Sequence, residues 1–150
     1  MDNATHRRLM VHLVQEQVPD SVLIADILEP PKSVFARGGG LYGLIGLLFA
    51  WKDANRAGGL PPFVLVGVTD EHVYFFKVER AISGWTVRYL IRQWSRDRFP
   101  LVSSTPNPAT LTIVFGTDSL AQEVRLSSGA GTGAVAGELV SILRAGEQDG

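Results

Sequence analysis

The chain contains no cysteine. Disulfides, thiol nucleophiles and cysteine-ligated metals are thereby excluded, and the composition suits a reducing cytoplasm. Histidine is scarce as well: His6, His12 and His72 are the whole supply. His6 and His12 stand six apart, so they do not stack on one helix face, and no acidic cluster accompanies them. Without convergent ligands, neither a metal site nor a cofactor is expected. No serine sits in a Gly-x-Ser-x-Gly elbow, which leaves nucleophilic hydrolysis without its usual signature. Charge imbalance is missing too. Fourteen Lys and Arg face fifteen Asp and Glu, a formal charge of −1, so nothing global attracts nucleic acid or an acidic membrane. No basic region leads from Met1 into an apolar core, and no signal peptide is expected.

What is present is an ordinary globular balance, 45% hydrophobic and 19% charged over 150 residues. That is enough for one domain, residues 1–150, with a real core. The stretch from Phe63 to Val78 organises it. Two runs rich in Val, Phe and Tyr meet at Thr69-Asp70-Glu71-His72, which reads as a β-hairpin. The first arm is apolar at consecutive positions, so both its faces are expected to be covered. The turn lacks glycine, which argues for a longer turn or a bulge, with Asp70 accepting a local backbone hydrogen bond.

Residues 1–18 read as a helix capped by Asn3 or Thr5, apolar at Leu9, Met10, Leu13 and Val14, and stopped by Pro19. Ser21–Leu28 reads as a strand closed by Glu29-Pro30-Pro31. Residues 38–60 combine Gly/Pro linkers with the most apolar segment, Leu41–Trp51. It falls far short of the roughly 20 apolar residues that span a bilayer. Three readings stay open for it: a buried helix, a subunit interface through Leu41, Leu44, Leu47, Leu48 and Trp51, or a membrane contact. Gly43 and Gly46 share a face and would let another backbone approach.

Trp85–Trp94 alternates, with Trp85, Val87, Tyr89 and Ile91 on one face and Thr86, Arg88, Leu90, Arg92 and Trp94 on the other: a half-exposed strand. Arg96-Asp97-Arg98 reads as a turn and Phe99–Val102 as a short strand. Thr110–Phe115 and Ala121–Leu126 form a last hairpin. Residues 128–150 hold a closing helix with Val135, Leu139, Ile142 and Leu143 in one stripe. Thr132 would cap it, Arg144 would sit in its last turn and Gly146 would end it.

This order resembles the pleckstrin-homology-like family in its bacterial and GRAM-like branches. The resemblance rests on Leu65 to Phe76, Trp85, Leu111 to Phe115 and the helix Val135 to Leu143, and spans roughly Asp20 to Leu143. It implies an α+β fold: an antiparallel barrel of about seven strands capped by a C-terminal helix, here with an N-terminal helix and an inserted apolar helix. It also implies a non-catalytic module that binds lipid head groups, peptides or copies of itself.

Gly129-Ala130-Gly131-Thr132-Gly133-Ala134 formally matches a dinucleotide fingerprint. No second strand follows, so it reads as a capping turn. Asp70-Glu71 could act as paired carboxylates; turn chemistry explains them more simply, and an enzyme is the third reading. From Lys77 to Arg98 six cations face only Glu79 and Asp97. Lys77, Arg88, Arg92 and Trp94 form the candidate ligand site, since clustered arginine beside an aromatic can hold phosphate. A solvated outer strand face is the simpler reading, since exposed strand faces routinely carry charge. The expected partner is a protein or a second copy. Peripheral contact with an anionic membrane is the alternative, and nucleic acid is disfavoured.

Overall fold

The computed structural model describes residues 2–30, 60–116, 121–129 and 134–148. The expectations for Leu41–Trp51, including every interface residue named there, and for Thr132 lie outside the described residues. The architecture is α+β, with two antiparallel sheets and two helices among those residues. In chain order come α1 (Asn3–Gln15), β1 (Val22–Leu28), β2 (Val64–Thr69), β3 (His72–Ala81), β4 (Gly84–Ser95), a 3-10 turn (Arg96–Arg98), β5 (Leu101–Pro106), β6 (Ala109–Phe115), β7 (Gln122–Ser127) and α2 (Ala136–Gln148). Sheet 1 runs β1-β2-β3-β4 and sheet 2 runs β5-β6-β7. One bridge, Glu29 to Ser127, joins them at a corner. The two sheets are not closed into a continuous barrel.

The central hairpin forms as expected, with Val64 opposite Lys77 and Val68 opposite Val73. All six residues of β2 are buried, because the strand serves two cores. Val64, Val66 and Val68 face sheet 2 and α2, together with Ile24, Phe75, Leu111, Ile113, Val124 and Leu139. Leu65 faces α1, together with Met10, Val14, Ile27 and Phe76. Gly67 lets α1 come close: a Cβ there would lie 2.6 Å from Val14 Cγ1.

The turn between the arms differs from expectation. Only Asp70 and Glu71 separate the strands. The acceptor is the Thr69 hydroxyl, which takes the N–H of Glu71 at 3.2 Å and of His72 at 2.9 Å. A threonine side chain thus replaces the missing glycine by closing the turn locally.

The cap of α1 is Asp2, whose Oδ1 accepts from Thr5 N at 2.7 Å; neither Asn3 nor Thr5 fills that role. The helix ends at Gln15, before Pro19 can stop it. The stripe of α2 is buried as expected: Val135, Leu139 and Leu143 are at most 5% exposed, and Ile142 packs beside them. The helix runs on to Gln148, so Gly146 does not end it and Arg144 is not in its last turn. The strand after the 3-10 turn begins at Leu101 and continues to Pro106.

The largest correction concerns β4. Its register against β3 slips twice, between Phe75 and Phe76 and between Lys77 and Val78. Arg88 and Ile91 are the extra residues. A bulge resets which face later side chains occupy, so the simple alternation fails. Trp94 turns inward, 8% exposed, edge-on to Phe75 at 4.8 Å and to Phe99 at 5.2 Å between ring centroids. Such pairs contribute about 0.5–1.5 kcal/mol each beyond area burial.

Candidate functional site

The four residues singled out for ligand binding do not form one open cradle. Lys77 and Arg88 converge on a carboxylate that is already there. Arg88 Nε donates to Glu79 Oε2 at 2.8 Å, and Lys77 Nζ lies 3.7 Å from Glu79 Oε1. The hydrogen bond from Arg88 is the main reason Glu79 stays below the usual carboxylate range, and the charges of Arg88 and Lys77 add to it. A phosphate would have to displace Glu79. Arg92 stands apart, its guanidinium 5.2 Å from the centroid of buried Trp94. Each remaining cation of this hairpin also covers a ring: Lys77 lies over Tyr89 at 5.6 Å and Arg80 over Trp85 at 4.9 Å. Arg96 is structural. It donates to Ile142 O of α2 at 3.1 Å and to Thr69 O at 3.4 Å.

β4 is one of the two edges of sheet 1, β1 being the other, and among the described residues it pairs only with β3. It carries two of the large apolar side chains exposed among the described residues, Tyr89 at 56% and Leu90 at 45%; Ile82 is fully exposed in the turn before it, and Leu23, Val102 and Val114 are exposed on β1, β5 and β6.

Two carboxylate centres were missed in the sequence. Asp20, in the link between α1 and β1, gathers three donors. Tyr74 Oη donates to its Oδ1 at 2.5 Å, His72 Nδ1 lies 3.0 Å from its Oδ2, and the Thr69 hydroxyl donates to the same oxygen. Burial pushes the Asp20 pKa up, but the bonds from Thr69, Tyr74 and His72 outweigh it and hold the group well below its ordinary 3.8. Burial, then the bond and charge of Asp20, push the Tyr74 phenol well above its ordinary value.

Asp26 is fully buried. Its Oδ1 accepts from Ile27 N and lies 2.8 Å from His6 Nε2, while its Oδ2 accepts from Val135 N at 2.7 Å, where α2 begins. A carboxylate at a helix start meets the unpaired N–H groups and the positive end of the dipole. From β1 it thus holds the residue that precedes α2. The only sequence signal is Asp26 itself, one charge inside an otherwise apolar run.

Both centres are closed on themselves. Each oxygen is taken by a group that holds an element in place, which is structural chemistry. No group of three or more metal-ligating side chains occurs among the described residues. No described helix is long and apolar enough to cross a membrane. No protein-family model, curated protein or solved structure matches the chain.

Proposed function

We propose that this chain is a non-enzymatic binding module of pleckstrin-homology-like type that engages a protein, another chain or a copy of itself, through the β4 edge of sheet 1. The fold part of this reading is supported by the division into four and three antiparallel strands, the bridge between Glu29 and Ser127 and the apolar stripe of the last helix. The observation that carries the functional part is the exposure of Tyr89 and Leu90 on an edge strand with one neighbour, with Ile82 exposed in the adjoining turn. Exposed strand edges present unpaired backbone groups and invite pairing. A cytoplasmic setting agrees with the absence of cysteine.

Recognition of an anionic head group is the competing outcome, weakened by Glu79, which already holds Lys77 and Arg88. Sedimentation of the full chain over a concentration series, with and without anionic vesicles, tests the proposal. Association that disappears in a Tyr89→Ser, Leu90→Ser double variant supports docking at β4. Salt-sensitive vesicle binding by a chain that stays monomeric would replace it with the head-group reading.

A further inference from the structure

We infer that the occupant of the β4 edge is a short, extended, acidic segment of another protein, and not a second copy of this chain. The inference rests on the reading above and deepens it. From Gly84 to Ser95 the strand carries Arg88 and Arg92 and no acidic residue. Arg88 is met by Glu79. Arg92 is exposed and has no acidic partner among the described residues; its one contact is the face of Trp94.

Pairing with a copy leaves Arg92 unmatched, because a second β4 brings two arginines and no carboxylate. It fails on shape as well. The two bulges raise the local twist and interrupt a long flat ladder, which is how natural edges resist their own copies. A short segment avoids both obstacles. Its backbone needs only a few ladder bonds. One of its carboxylates meets the planar fork of Arg92, which suits bidentate pairing. Tyr89 and Leu90, neighbours in a pleated strand, offer apolar contact on opposite sides of the edge.

The test is a titration of the isotope-labelled full chain, followed by amide NMR at low salt, with a short peptide alternating valine and glutamate. Its valine–lysine counterpart and a version with proline at its centre are the controls. The expected result is shifts centred on the amides of β4, at least about tenfold tighter binding of the glutamate peptide than of the lysine peptide, a difference of about 1.4 kcal/mol, and loss of binding with proline. Arg92→Glu should invert the preference. Should that variant fold poorly, Arg92→Gln and a salt series on the unmodified chain read the same attraction. Equal binding of the two charged peptides, or shifts elsewhere, overturns the inference. A chain that ignores the peptide but dimerises through β4 overturns it while leaving the broader reading standing. One that ignores the peptide and binds anionic vesicles through Arg92 overturns both.

Discussion

Asp20 and Asp26 are six residues apart, and both tie distant parts of the fold together, yet they do so in opposite surroundings. Asp26 is wholly out of water and holds α1, β1 and the start of α2. Asp20 keeps 22% of its side chain exposed and holds a connecting segment against the β2–β3 turn. The same functional group therefore has two different energetic roles. At Asp26 removal leaves buried donors with nothing to bond. At Asp20 water can replace part of what is lost, and the contribution depends on pH.

The sharpest way to break this comparison is Asp26→Ala. It strands the N–H groups of Ile27 and Val135 and the ring of His6, and breaking a buried, hydrogen-bonded charge typically costs roughly 3–5 kcal/mol. Denaturant unfolding should show that loss, and amide exchange at Val135 should accelerate ahead of the sheets. Asp26→Asn, which keeps an acceptor, should cost less. Equal, small effects of both changes would mean that α2 starts without help from β1.

Asp20→Asn should be milder, roughly 1.5–3 kcal/mol near neutral pH, the range for hydrogen bonds to a charged group. The sign of its pH dependence is fixed. The folded-state pKa lies below the ordinary 3.8. The stabilisation is therefore whole above that value and is lost as pH falls through and below it. Thermal melts of the unmodified chain and the variant should differ most at pH 7 and converge in acid. A constant gap would show that ionisation of Asp20 is not the stabilising step. Tyr74→Phe removes one of the three donors and should cost about 1 kcal/mol. It should also move the acid midpoint upward, since one bond holding Asp20 ionised is gone.

Much of the scaffold was readable because it follows short-range rules. Continuous apolar residues in β2 mean two covered faces, and the stripe of α2 means one. What could not be read depends on long separations or on slips in register. The bonds of Asp20 reach 49 to 54 residues along the chain, and that from Val135 to Asp26 reaches 109. Spacing rules see only neighbours. The two bulges of β4 leave no mark in its alternation, so Trp94 was placed on the arginine face when it lies in the core. The candidate site suffered most from this. Lys77 and Arg88 are legible as cations, but a charge count does not show that Glu79 stands between them and pairs with both.

The smallest expected effect belongs to Arg7→Ala, and it sharpens the comparison because it keeps the elements and changes the surroundings. Arg7 joins α1 to α2 through a two-pronged bond to Glu138, one prong at 2.9 Å, beside the link that His6 makes through Asp26. Donating to Glu138 raises the Arg7 pKa, and accepting from Arg7 lowers that of Glu138. Both side chains are more than two-fifths exposed. Water and salt screen such a pair, and ordering two long side chains offsets what attraction remains. The melting midpoint of Arg7→Ala should stay within experimental scatter of the unmodified chain, in low salt and more so in high salt. His6→Ala, one residue away, should lower it clearly, because it leaves a buried carboxylate short of a donor. Should the two variants lose equal stability, α1 and α2 would be held mainly at the surface, and burial would no longer explain why Asp26 and Asp20 differ.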